Sequence, residues 1–82
     1  MSNFTLSLID GNFENNDAFE LLSALVDAKI RFHEKKISAS HNEEDIKMRE
    51  RRIQKLQLDM MNIQESLKGK NNLNVSAVVT VE

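Results

Sequence analysis

Residues 46–67 read IKMRERRIQKLQLDMMNIQESL, and mainly apolar side chains recur in this stretch at alternating spacings of three and four. Residues so spaced lie along one narrow stripe of an α-helix, in the a and d positions of a heptad repeat. The members of this heptad stripe are Ile46, Arg49, Ile53, Leu56, Met60, Ile63 and Leu67. The pattern predicts a long helix whose apolar stripe is narrow enough for one partner helix to cover.

Capping signals place this helix at about residues 42–68. Ser40-His41-Asn42-Glu43 has the spacing of a capping box, with Ser40 as the capping residue. Residues 43–45 are all acidic, which the helix dipole favours in a first turn. Gly69 is a natural residue for the position just after the helix ends.

An earlier helix is predicted at about residues 16–38, and its apolar face is wider. Asp17 is its expected N-cap, with Asn15 and Asn16 as alternatives. Two neighbouring rows of side chains cover about half of the circumference, which is more than one partner helix can bury. The first row is Phe19, Leu22, Val26, Ile30, His33 and Ile37. The second row is Leu21, Leu25, Ala28 and Phe32.

Two strands are predicted on either side of the helices, at about residues 3–9 and 73–81. Apolar residues alternate with hydroxyl residues in the first segment and with mainly polar or small residues in the second, which is the pattern of a half-buried strand. Asp10-Gly11 follows the first segment and predicts a turn, because Gly tolerates positive φ.

The order of the elements predicts one mainly α domain over residues 1–82, a β-α-α-β chain. A short link makes consecutive helices antiparallel neighbours, so the two strands emerge at the same end of the hairpin. Because the first helix keeps apolar surface, we expect a dimer in which two hairpins form a four-helix bundle. The predicted interface residues are Phe19, Leu22, Val26, Ile30, Ile46, Ile53, Leu56, Met60, Ile63 and Leu67.

Composition excludes several classes of function. The chain has no Cys, only two His and only two Gly. Disulfides, Cys-based zinc sites and Gly-rich phosphate loops are therefore excluded. No nucleophile, base and acid stand in a recognisable arrangement, so we expect no catalytic, cofactor-binding or metal-binding residues. We expect a cytoplasmic protein, because there is no secretory signal and no apolar run long enough to cross a membrane.

A basic run lies in the second helix and suggests an alternative function. Clustered cations attract phosphates, and the candidate nucleic-acid contacts are Lys47, Arg51, Arg52 and Lys55. Glu50 interrupts the run, the side chains project around most of the helix, and the net charge is −2. A solvated helix surface is therefore the favoured interpretation.

Polar residues within the apolar stripes leave two questions open. Lys29, His33 and Lys36 share one side of the first helix, where they could bind an anion or set the register of the bundle. The favoured interpretation is that the Lys side chains extend past apolar neighbours while His33 bonds a carboxylate or a carbonyl. Arg49 occupies a heptad position, and both Glu34 and Asp45 are possible acidic partners. The sequence thus predicts a non-catalytic, self-associating module that acts structurally or through another protein, and it leaves the specific role open.

Overall fold

The computed structural model describes residues 3–82 and has four elements in the predicted order. Strand β1 spans Phe4–Glu14, helix α1 spans Asn15–Ala39, helix α2 spans Glu43–Leu67 and strand β2 spans Asn72–Val81. The mainly α, β-α-α-β fold is therefore confirmed. The helices and β2 begin and end within one residue of their predicted bounds, whereas β1 is longer than predicted.

The two helices form an antiparallel hairpin, each about 37 Å long at 1.5 Å per residue. Helix α2 packs on α1 and on no other element of the described chain. All seven residues of the heptad stripe are half-buried, while Met48, Leu58 and Met61 outside the stripe are exposed. The heptad stripe therefore faces α1, as its spacing predicts.

The link between the helices is capped by Asn42 rather than by Ser40. The Asn42 Oδ1 accepts hydrogen bonds from the backbone N–H groups of Glu44 (2.9 Å) and Asp45 (3.1 Å). The Ser40 hydroxyl instead accepts from the N–H of Asn42, at 3.2 Å. The predicted capping box was wrong because α2 begins at Glu43, where Asn42 is the adjacent residue and an equally good N-cap.

The start of α1 also differs from the prediction. The helix begins at Asn15 without a side-chain cap, so Asp17 is not the N-cap. The Asn15 side chain donates to the carbonyl oxygens of Leu67 and Lys70, and its backbone N–H donates to the carbonyl of Asn71 at 2.9 Å. Asn15 thus joins the entry to the hairpin to its exit. The exit itself turns at Gly69, whose φ of +78° confirms its predicted role.

Strands β1 and β2 pair antiparallel along their whole length. The turn predicted at Asp10-Gly11 is wrong, because both residues lie within β1, where Gly11 pairs with Val75. Strand pairing over a long range has overridden a local turn signal here. As a result β1 continues directly into α1.

A β-bulge between Ser7 and Ile9 keeps one face of this two-stranded ribbon apolar. The apolar residues of β1 change from even to odd positions at this point, and the extra residue of the bulge compensates for the change. Directly paired side chains lie on the same face. That face therefore carries the pairs Phe4–Val81, Leu6–Val79, Ile9–Ala77, Gly11–Val75 and Phe13–Leu73.

The ribbon packs on α1 but not on α2, and it covers only part of α1. Ile9 (4% exposed) and Ala18 (0%) are the buried apolar residues of the described chain. The molecule measures 46 × 37 × 14 Å, so it is little thicker than one helix. A fold this thin has most of its apolar side chains at or near the surface.

Candidate interaction surfaces

The first candidate surface is the free half of the ribbon, which we define as Phe4, Leu6, Val79 and Val81. These side chains form two neighbouring cross-strand pairs on the apolar face, beyond the part that α1 covers. Their exposed fractions are 66%, 54%, 40% and 55% in the same order. None of these four residues is among the predicted interface residues, and the change from even to odd apolar positions after Leu8 is the one feature of the sequence that could have drawn attention to them.

The second candidate surface is a groove along one side of the hairpin, of about 540 Å³. Val26, Ile30 and Met60 line this apolar groove, with Glu20 and Asp27 among the residues at its edge. All ten residues predicted for the oligomer interface are half-buried, because they pack α1 against α2 within one chain. The second row of α1 is divided: Leu21 and Leu25 are half-buried, and Ala28 and Phe32 are exposed.

The third candidate surface is a groove of about 490 Å³ that we call the basic groove. It lies on the other side of the hairpin, since Asp27 and Lys29 are about 160° apart around α1 at 100° per residue. Its basic residues are Lys29, Arg51, Arg52 and Lys55, and its other lining residues are Met48, Leu56 and Asp59.

The basic groove contains three of the four predicted nucleic-acid contacts. Lys47 is the exception, because it lines a separate recess with Glu44 and Arg51. Lys29 of α1 was not predicted as part of this set, and only the packing of the helices places it there. The expectation that the basic residues spread around α2 is therefore only partly correct.

His33 is 3% exposed and lies between the helices. Its Nδ1 is 3.2 Å from a guanidinium nitrogen of Arg49, and the Nε of Arg49 donates to the Asp45 carboxylate at 3.2 Å. A guanidinium only donates, so Nδ1 accepts, the ring is neutral and the proton is on Nε2. Nε2 is buried without a partner in the described chain.

The environment of His33 favours the neutral ring. Burial lowers the pKa of His33 below its usual 6.5, and the positive charges of Arg49, Lys29 and Arg52 lower it further. The acidic partner of Arg49 is Asp45 and not Glu34, the other candidate from the sequence. His33 binds an arginine and not a carboxylate or carbonyl, so that expectation was wrong.

The three polar residues of α1 do not converge on one site. Lys29 lines the basic groove, whereas the Lys36 ammonium lies 5.6 Å from the centre of the Phe32 ring. The Phe32 and His33 rings meet edge to face, with centres 6.0 Å apart. A single anion site made by Lys29, His33 and Lys36 is therefore not supported.

Metal binding and membrane insertion can both be assessed for the residues that the structure describes. Residues 3–82 contain no group of three or more His, Asp or Glu side chains placed to hold a metal ion. No helix within this range combines the length and the apolar character needed to cross a membrane.

Comparison with known proteins gives no relative. No protein-family model matches the chain, and no curated protein or solved structure does so either.

Proposed function

We propose that this protein is a non-catalytic, self-associating module that works as a homodimer, in a structural role or as a docking platform for another protein. The observation that carries the proposal is the accessible surface of the single chain, which is 6659 Å². A compact monomer of 9.4 kDa is expected to expose about 5,000 Å².

The accessible surface beyond that of a compact monomer is about as large as the area that one subunit buries in a stable dimer. It amounts to roughly 1,600 Å² per chain, and obligate homodimers bury about 2,000–5,000 Å² in total, half from each subunit. A chain with two buried apolar residues in its described part gains its missing core most directly from a second copy.

The free half of the ribbon is the surface that best supports self-association. Four of the ten exposed large apolar side chains in the described residues form this one surface: Phe4, Leu6, Val79 and Val81. The free half itself contains no charged residue, and both edges of the ribbon are unpaired. An apolar face with open edges is a ready template for pairing with an identical chain.

The four-helix bundle predicted from the sequence is the alternative arrangement of the dimer. It would bring the apolar groove of one hairpin against that of its partner. The acidic residues Glu20 and Asp27 of one hairpin would then lie close to those of the other, since a two-fold axis places identical surfaces together. This repulsion favours the ribbon as the main contact.

The test is the mass in solution, measured by light scattering after gel filtration over a range of concentrations. We expect a mass of twice the chain for the natural protein. Val79→Asp places a charge in the free half and should give a folded monomer, because this side chain is 40% exposed in the single chain. Val78→Asp is the matched control, since Val78 lies next to it on the opposite face and is 63% exposed.

A third variant separates the two arrangements. Ala24→Glu adds a charge in the apolar groove at an exposed position, so the hairpin itself tolerates it. Loss of the dimer in Ala24→Glu but not in Val79→Asp would support the four-helix bundle over the ribbon contact. A compact monomer at all concentrations for the natural protein would overturn self-association.

A further inference from the structure

The basic groove combines two helices into one cationic surface on a chain that is acidic overall. The chain has 13 acidic and 11 basic residues. Four of those basic residues nevertheless line one groove, and Asp59 is the sole acidic residue among its lining residues. The Asp59 carboxylate is 3.1 Å from the Lys55 ammonium, so it offsets one of the four charges.

The other three cations of the groove lack intrahelical partners for a reason visible in the sequence. Lys29, Arg51 and Arg52 have no acidic residue three or four positions away on either side. Such spacing is what allows an ion pair on one helix. All four ion pairs within residues 3–82 have this spacing, and they involve Arg31, Arg49, Lys55 and Lys68.

The buried ring of His33 lies close to some of the same cations. Its pKa is lowered first by burial and then by the charges of Arg49, Lys29 and Arg52. Two of these three cations line the basic groove. Lys29 and Arg52 are therefore close enough to the buried ring to disfavour its charged form.

The uncharged part of the groove suits planar bases. Met48 and Leu56 supply apolar surface within it, and Leu56 is half-buried. Phe32 does not line the groove, but it lies about one turn of α1 beyond Lys29 and is 53% exposed. Single-stranded nucleic acid is bound by grooves that combine cations for the phosphates with apolar and aromatic surface for the bases. Arginine is also better suited than lysine to the two-pronged geometry of a phosphate.

We propose that the basic groove binds the phosphate backbone of single-stranded nucleic acid, with Arg51, Arg52 and Lys29 contacting phosphates. This goes beyond self-association and does not depend on it, because one hairpin contains the whole groove. The free half of the ribbon is a separate surface, so a ribbon-mediated dimer would present two such grooves.

The test is the fluorescence anisotropy of a labelled oligothymidylate and of an oligouridylate, titrated with the protein from about 50 mM salt upward. Binding through three or four phosphates should give a slope of log K against log salt of about −2 to −3, since each single-stranded contact contributes about −0.7. Absence of binding at the lowest salt would overturn the proposal.

Charge-matched variants separate the groove from the general charge of the protein. Arg51→Gln with Arg52→Gln removes two charges from the groove, and we expect about a tenfold or greater rise in Kd. Lys35→Gln with Lys70→Gln removes the same charge elsewhere and should change Kd by about twofold or less. Equal losses in the two double variants would overturn the assignment to the groove.

Two additional measurements separate nucleic-acid binding from self-association and from binding of an acidic protein. The Val79→Asp monomer should bind the oligonucleotide with an unchanged Kd per chain, whatever the natural protein's assembly. A glutamate-rich peptide of equal charge should compete weakly. Binding of that peptide as tightly as the oligonucleotide would overturn the proposal in favour of an acidic protein partner.

Discussion

The hairpin and the ribbon are both amphipathic, but they use their apolar residues differently. In the hairpin the heptad stripe of α2 is covered by α1 within the same chain. In the ribbon only the half near the helices is covered, and Phe4, Leu6, Val79 and Val81 remain exposed. The hairpin therefore covers its main apolar stripe within one chain, and the ribbon is the part that the proposed second copy would cover.

The largest expected effect comes from breaking the hairpin. Ile53→Asp places a carboxylate in the half-buried heptad stripe, and we expect a cost of about 3 kcal/mol or more, from lost apolar burial and an unpaired charge. Leu6→Asp in the free half of the ribbon is the control, since that side chain is 54% exposed. Circular dichroism should show loss of helix for Ile53→Asp only, and equal helicity in both variants would contradict the packing of the heptad stripe.

The next effect concerns the connection between the two regions. Asn15→Ala removes two side-chain hydrogen bonds, to the carbonyls of Leu67 and Lys70, and should cost about 1–3 kcal/mol. Hydrogen exchange should become faster in the strands and at the ends of the helices near the ribbon, while the link around Asn42 keeps its protection. Asn16 is the exposed neighbour of Asn15, and Asn16→Ala should change this protection little. The same loss of protection in both variants would mean that Asn15 has no special role.

The two glycines offer a smaller and sharper comparison. Gly69 has φ of +78° at the exit from α2, so Gly69→Ala should destabilise the protein by about 1 kcal/mol. Gly11 lies in β1, where an added methyl group would be 3.6 Å from the Phe13 ring, an ordinary contact. Gly11→Ala should therefore be neutral or slightly stabilising, by about 0.5 kcal/mol. Urea denaturation measures both, and an equal cost at the two sites would contradict the difference in backbone conformation.

The smallest expected effect is the pH dependence contributed by His33. Its pKa is lower in the folded protein than the ordinary 6.5, so the unfolded chain binds more protons between the two values. The stability contributed by neutral His33 is present above pH 6.5 and declines as the pH falls below it. His33→Gln should reduce the loss of stability between neutral and mildly acidic pH, as measured by thermal unfolding. An unchanged pH profile would mean that His33 is not held neutral by its surroundings.

The helices and strands could be predicted from the sequence, but the residues at which they begin and join could not. The heptad stripe, the wide face of α1 and Gly69 were all recognisable because each depends on residues within a few positions of one another. Asp10-Gly11 was misread because its turn signal is local, whereas its place in a strand depends on pairing with Val75 and Ser76. The capping predictions erred by two residues at α2 and by three at α1, where several good capping residues stood side by side.

The candidate surfaces were harder to predict than the fold. The cations of α2 were identified from their clustering, but Lys29 joins them only because α1 packs beside α2. The predicted interface residues were chosen for their apolar spacing, and the hairpin itself occupies much of their surface. Which apolar residues remain exposed depends on how far each element covers the next.

By itself the sequence determined two amphipathic helices, two amphipathic strands and their order along the chain. Apolar periods of about 3.6 and 2 residues and the freedom of Gly69 are properties of short segments. The tertiary structure alone decided the bulge and its register, the bonds of Asn15 to residues 52 and 55 positions away, and the contact of His33 with Arg49, 16 positions away. These features join distant segments, so they exist only once the helices have closed into a hairpin and brought the strands together.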